Sequence, residues 1–201
     1  MPRTMPLLEV EPLAMHLRNG GPALFPTDTL PALAARPEAA AQLWELKGRP
    51  AHKPVILMGS DPDELFGLLG SSVEQAWKAL ATIHWPGALT LVLPARGPVL
   101  EQLHPGGTSL GLRVPQCPQA LKLLERSGPL ATTSANRSGE DPCLEASDAA
   151  QSFPGVPLLA PVPWPAAAGV ASTVLAWSDA GAWRVLRSGA VMPELPSTPA
   201  P

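Results

Sequence analysis

Between Pro129 and Pro142 the chain changes character within a few residues. Leu130-Ala131-Thr132-Thr133 is apolar or β-branched and reads as a short buried strand. Ser134, Asn136, Ser138 and Gly139 follow at once, with Arg137 among them. Hydroxyls, an amide and free backbone N–H groups therefore converge at the carboxyl end of a buried strand, which is where α/β proteins place ligands. The same residues also suit a polar loop that caps a helix starting near Leu144. In either case the chain has to build an α/β fold that ends a buried strand in an open turn.

The 201 residues suit one domain, able to bury a core without disulfides or metals. Proline is frequent, at 27 residues, against an average near ~5%. The prolines stand between periodic segments and so punctuate a fold. We place the domain at 1–190, followed by a proline-rich tail, 191–201, whose composition predicts disorder.

Charge narrows the partners. With 14 Lys+Arg against 17 Asp+Glu and a formal net charge of −3, a wide basic surface for duplex nucleic acid is not indicated, whereas a local basic cavity is compatible. Cys117 and Cys143 are the only cysteines, and His16, His52, His84 and His104 are scattered. That pattern suggests neither a disulfide framework nor a metal site. The N-terminus lacks the apolar core of a signal peptide, and the longest apolar run, Ala88 to Leu93 with its flanks, is far short of a membrane span. The expected location is the cytoplasm, with no membrane partner.

Along the chain, helices are expected over Val10–Arg18, Pro37–Lys47, Asp61 to about Leu69, Ser72 (as cap) to Ile83, Gln116–Arg126 and Glu145–Phe153. Strands are expected over 23–25, 55–58, 88–93, 109–115, 172–177 and 183–186, the last two as a hairpin. The segment 154–169 carries too many prolines to assign. Asp28, in the polar row Thr27-Asp28-Thr29, reads equally as a turn or cap residue and as a functional acid. Lys47 complements a helix dipole, but Arg49 and Lys53 lie beyond that helix on proline-stiffened chain, where they can aim together at an anion. Arg113 falls on the polar face of a strand with Ser109 and Gly111, and an arginine there needs an anionic partner.

Five separated pieces stand in order: Phe25-Pro26-Thr27-Asp28-Thr29, Lys47-Gly48-Arg49-Pro50, Gly111-Leu112-Arg113-Val114-Pro115, Ser134-Ala135-Asn136-Arg137-Ser138-Gly139, and Ser172-Thr173-Val174 followed by Leu186-Arg187-Ser188-Gly189. With Trp85-Pro86-Gly87 also in place, this set resembles the YrdC/TsaC family, the threonylcarbamoyl-AMP synthases of tRNA modification, over residues 8–190. It resembles the short form, without an extra C-terminal domain. The resemblance implies an open, twisted, mixed α/β sheet with flanking helices around a deep cavity.

It also implies a nucleotidyltransferase that makes threonylcarbamoyl-AMP and pyrophosphate from L-threonine, bicarbonate (or CO2) and ATP with Mg2+. A downstream transferase then passes the threonylcarbamoyl group to tRNA, giving N6-threonylcarbamoyladenosine. By this resemblance Lys47, Arg49, Ser134 and Asn136 are catalytic. Arg49, Lys53, Ser109, Ser134, Asn136 and Arg187 lie near ATP, and Thr27, Met58, Arg113, Thr132 and Ser172 lie near threonine. No covalent protein nucleophile is required, and no protein metal ligand is implied. The chain departs from the family at one place. Relatives read Val-Tyr-Gly-Leu-Gly after the second threonine, and this chain reads Leu30-Pro31-Ala32-Leu33-Ala34, with no tyrosine anywhere. The alternative is a non-catalytic RNA- or ribosome-associated paralogue, with weak RNA binding at most.

Overall fold

The strands of this chain are short because prolines and glycines interrupt it every few residues. The computed structural model describes residues 6–50 and 53–195. Its strands are β1 (Leu7–Leu8), β2 (Ala23–Phe25), β3 (Ala32–Ala35), β4 (Ile56–Met58), β5 (Leu89–Pro94), β6 (Ser109–Arg113), β7 (Leu130–Ser134), β8 (Leu158–Leu159), β9 (Thr173–Trp177) and β10 (Trp183–Arg187). They form one mixed sheet in the order β1-β8-β2-β3-β7-β4-β6-β5-β9-β10. Four parallel pairs (β1–β8, β2–β8, β4–β6, β5–β9) are combined with five antiparallel ones among the described residues, so the expected open, mixed α/β sheet is present.

Both faces of the sheet are covered, and side-chain alternation sorts residues between them. On β2 and β3, Leu24 and Leu33 enter the larger core, whereas Ala23, Phe25, Ala32 and Ala34 enter the smaller one. The smaller core is closed by α1 (Val10–Arg18) and α6 (Pro118–Ser127), through Leu13, Leu17, Leu123 and Leu124. The larger is closed by α2 (Ala41–Lys47), α3 (Pro62–Gly67), α4 (Gln75–His84), α5 (Pro98–Leu103) and α7 (Ala146–Ser152). Each fully buried leucine of these stripes contributes about 1.5–3 kcal/mol, which makes the stripes the main source of helical stability here.

Several expected boundaries move. Pro37–Lys47 is a 3-10 turn, Pro37–Ala39, followed by α2. Ser72 is not the cap of α4: the helix starts at Gln75 behind Glu74, Ser71 instead donates to Pro94 O at 2.9 Å, and Ile83 is 74% exposed. α7 is closed by its own capping box of Glu145 and Asp148, so the polar loop after β7 does not cap it. β1, β3, α5 and β8 lie where no element was assigned. Of the segment placed in a tail, Val191 and Leu195 pack against the larger core and Pro193 is buried, while 196–201 lie outside the described residues.

One glycine allows the sheet to serve as the floor of a site. A Cβ on Gly111 of β6 would stand 2.7 Å from Ile56 Cγ2 and 3.5 Å from Thr90 Cγ2. Because glycine has none, the side chains of β4 and β5 lean over β6 and meet there.

Candidate functional site

A cavity of about 250 Å³ opens on the sheet face that α1 and α6 cover only in part. Ala32 and Met58 belong both to its wall and to the smaller core. Neighbouring strands each contribute to it through the register. Thr132 of β7 lies opposite Ile56, Ser134 opposite Ala32, and Met58 opposite Arg113. Thr90 of β5 lies opposite Val174. The remaining wall comes from Thr27–Pro31, Arg49, Pro54, Ala171, Ser172 and Arg187.

Arg113 closes the inner end. It is 4% exposed, and three of its five N–H groups have partners. Nε donates to Gly87 O at 3.1 Å, Nη1 to Thr29 Oγ1 at 2.8 Å and Nη2 to Asp28 Oδ1 at 2.7 Å. Burial pushes the guanidinium below its ordinary pKa, while the charge and hydrogen bond of Asp28 oppose that; a guanidinium nonetheless stays charged.

The hydroxyls next to Arg113 point in one direction. Thr27 donates to Leu30 O at 2.6 Å, so in its 3.1 Å contact with Thr29 it has to accept. Thr29 therefore accepts from Arg113 and donates to Thr27. The Thr29 and Leu30 backbone N–H groups point at the same Thr27 oxygen, at 3.1 and 3.2 Å, and share its remaining lone pair, which closes the turn that leads into β3.

On the β9 side, Ser172 and Thr90 share a 2.8 Å hydrogen bond between hydroxyls. Arg187 donates to the Ser172 carbonyl from Nε at 3.1 Å and Nη2 at 2.9 Å. Thr132, 2% exposed, presents a hydroxyl with no partner among the described residues. Nη1 of Arg49 donates to Thr133 Oγ1 at 3.3 Å and Nη2 to Pro54 O at 2.9 Å, while its buried Nε has no partner among the described residues. A buried donor and a buried hydroxyl without partners cost about 1–3 kcal/mol each, and a bound ligand repays such a cost.

Lys47 stands behind the wall. Gly48 ends α2 at φ 61°, a left-handed cap, and the chain turns there toward the cavity. The Lys47 ammonium donates to Ser134 O, to Asn136 O and, at 3.3 Å, to Asn136 Oδ1. Ser134 Oγ donates to Asn136 Oδ1 at 2.6 Å, and Asn136 Nδ2 donates to Arg137 O and Glu140 O, both at 2.9 Å. The Lys-x-Arg and Ser-x-Asn segments thus form one clamp. Burial, and next the charge of Arg49, lower the Lys47 pKa to about 8, and Cys143 opposes them.

Of the twelve residues expected at the site, Thr27, Arg49, Met58, Arg113, Thr132, Ser134, Ser172 and Arg187 line one cavity. Lys47 and Asn136 hold Ser134 from behind. Lys53 and Ser109 are not part of the wall: Lys53 is exposed with its carbonyl bonded to Trp44 Nε1, and Ser109 begins β6, about 13 Å along the strand from Arg113. Thr29, Thr90 and Thr133 were not expected there. Thr90 had a signal, being the one polar residue within the apolar run Ala88–Leu93. The departing segment 30–34 supplies Leu30, Pro31 and Ala32 to the wall. From Ala32 it runs on as buried β3 between β2 and β7.

The family model Sua5/YciO/YrdC, described as "Telomere recombination", matches residues 15–189. The threonylcarbamoyl-AMP synthase of Bacillus subtilis (strain 168) is 35% identical over 176 residues, covering 85% of this chain and 51% of that one. The threonylcarbamoyl-AMP synthase of Serratia proteamaculans (strain 568) is 34% identical over 155 residues, covering 74% of this chain and 82% of that one. Among solved structures, that of P. abyssi Sua5 complexed with L-threonine superposes with a TM-score of 0.83 at 32% identity, covering 90% of this chain and 54% of that one. The chain spans about half the length of the first curated relatives it matches. With the match covering most of the chain and the motif segments gathered at one cavity, this protein belongs to the Sua5/YciO/YrdC family.

Proposed function

We propose that the cavity makes threonylcarbamoyl-AMP and pyrophosphate from L-threonine, bicarbonate (or CO2) and ATP. The observation that carries this reading is the gathering of three guanidinium groups, those of Arg49, Arg113 and Arg187, on one small cavity with unpartnered polar atoms on Arg49 and Thr132. The names of the curated relatives support it.

In this reading bicarbonate and the threonine amine condense to a carbamate with loss of water. A carbamate oxygen attacks the α-phosphorus of ATP, the bond from that phosphorus to the bridging oxygen of the β-phosphate breaks, and pyrophosphate leaves. The two free N–H groups of Arg113 hold the threonine carboxylate, and the Thr132 hydroxyl and the Thr90–Ser172 pair meet its polar groups. Met58 and Ala32 pack against its methyl. Arg49 and Ser134 hold the nucleotide at the reacting phosphate and Arg187 stands on the opposite wall. Thr27 fixes the turn, and Lys47 and Asn136 fix the loop that carries Ser134. Lys53 and Ser109 reach only a part of ATP that projects beyond the wall. The protein positions and neutralises charge, which is the main contribution in phosphoryl-centre chemistry.

Magnesium enters as part of the nucleotide substrate. The wall offers hydroxyls and cations, and the one carboxylate bonded at its inner end, Asp28, is taken by Arg113, so the ion's ligands in this reading are phosphate oxygens and water. The product passes to a threonylcarbamoyl transferase acting on tRNA. Cytoplasm is the compartment proposed, and no described helix is long and apolar enough to cross a membrane. The alternative of an RNA-associated module draws less support, because these guanidiniums line a cavity instead of spreading over a face.

The test is pyrophosphate release by the purified chain. It is expected to require threonine and bicarbonate together. Release that ignores threonine, or none at all, contradicts the reading.

A further inference from the structure

The fold gives Asp28 a role that neither sequence reading of it contained. Its carboxylate reaches across 85 residues of chain to the Arg113 guanidinium at 2.7 Å. The same oxygen accepts the Gln116 backbone N–H at 3.0 Å, just before α6. The carboxylate side chain is 14% exposed and the guanidinium 5%. The backbone is fixed too: Asp28 O accepts from Ala168 N and Thr29 O from Gly169 N, both at 3.1 Å. Asp28 is thus held by two separate segments, 113–116 and the one at Ala168, before any ligand arrives. Arg113, in turn, has its plane set by Gly87, Thr29 and Asp28. Arg187 is a second cation close enough to disfavour the Arg113 charge.

We infer that Asp28 is a positioning residue for the amino-acid subsite: it fixes the plane of Arg113 and limits how strongly that guanidinium attracts the substrate carboxylate. This rests on the reading of the cavity as the threonine site. A bare, buried guanidinium grips a carboxylate tightly and in more than one orientation, and tight ground-state binding by itself does not accelerate a reaction. Paired with Asp28, Arg113 has two N–H groups left without a partner among the described residues, and the carboxylate has one way to meet them. The amine that carries the carbamate is then aimed by the same contact. The amino-acid subsite therefore exchanges affinity for orientation.

The discriminating variant is Asp28→Asn, which keeps the size and one acceptor oxygen and removes the charge. The melting temperature is expected to fall, because the buried Arg113 loses the charge that offsets its desolvation. KM for threonine is expected to hold or fall, and kcat of the folded enzyme to fall by about tenfold or more. A merely structural Asp28 moves the melting temperature and leaves kcat and KM of the folded enzyme alone. That result, or a raised KM with kcat unchanged, overturns the inference. A second measurement needs no turnover: hydrogen exchange at the Arg113 Nε–H, followed by 15N NMR in wild type and in Asp28→Ala. Faster exchange in the variant is expected, and equal exchange overturns the inference. If the wild-type chain shows no threonine-dependent turnover, the proposed activity fails by itself, and the NMR comparison still decides what Asp28 does.

Discussion

Lys47 and Asn136, 89 residues apart in the chain, meet through two hydrogen bonds from one ammonium, to the backbone carbonyl and to the side-chain oxygen of Asn136. With the Ser134 carbonyl as third acceptor, every N–H of Lys47 is used inside the protein. Lys47 therefore neither lies free at the end of α2 nor points into the cavity. It fixes the loop that presents Ser134.

This gives Lys47 and Arg49 different mutational signatures. Lys47→Met removes the donor from three acceptors, of which Ser134 O still accepts from Asn136 N and Asn136 Oδ1 from Ser134 Oγ. The Asn136 carbonyl is the one left without a donor among the described residues, and the change is expected to cost about 2 kcal/mol of stability. Arg49→Met gives up a long bond to Thr133 and an exposed one to Pro54 O, together with a buried Nε that has no partner among the described residues. The fold therefore changes less than in Lys47→Met, while turnover falls by about tenfold or more. Urea unfolding and pyrophosphate release on both variants check this. Equal losses of about 0.3–1 kcal/mol in the two, with turnover intact, are what a helix-dipole role alone produces.

The pH dependence of Lys47 has a definite sign. Its folded-state pKa, about 8, lies below the ordinary 10.5. Between those values the unfolded chain holds the proton and the folded chain does not, so unfolding takes up a proton and this group's contribution to stability rises with pH. Above about pH 8 the amine also loses one donor and its charge beside Ser134. Urea titrations from pH 7 to pH 10 are expected to show apo stability rising relative to Lys47→Met, while the stabilisation given by ATP shrinks. A flat difference between the two proteins contradicts the assignment.

Thr132→Val tests the unpartnered hydroxyl. The replacement keeps the shape and removes a buried polar atom that nothing in the described protein satisfies. Apo stability is expected to rise by about 1 kcal/mol, and KM for threonine by about tenfold. A variant that is destabilised and keeps its KM shows that the hydroxyl has no ligand.

Gly111→Ala places a methyl 2.7 Å from Ile56 Cγ2. Overpacking of this kind costs about 1–3 kcal/mol, and here it also raises the floor of the cavity. Thermal melts and threonine KM are both expected to worsen. A normal KM in the folded variant shows that the floor is not part of the subsite.

Much of this was legible in the sequence because local chemistry carried it. The step from Leu130-Ala131-Thr132-Thr133 to Ser134 and Asn136 marks β7 and its loop, and the Lys47-Gly48-Arg49-Pro50 run marks the end of α2. β3 was not legible, because Ala32-Leu33-Ala34-Ala35 has neither alternation nor β-branched residues, and it is a strand only through its two antiparallel neighbours. β8, two residues long, exists by pairing with β1 and β2, which no local pattern announces. The real partners of Lys47 and Asp28 were hidden for the same reason. Each lies more than eighty residues away, and only the packing of the sheet brings the pairs together.

Isotope tracing tests the central claim most directly. The wild-type chain is incubated with threonine, 13C-bicarbonate and ATP labelled with 32P at the α-phosphate, and the products are separated and weighed by mass spectrometry. The account predicts one product holding the 13C atom, the threonine skeleton and the labelled phosphate, formed in equal amount with pyrophosphate. Pyrophosphate released while the 13C stays in bicarbonate, with the label recovered only in AMP, contradicts it.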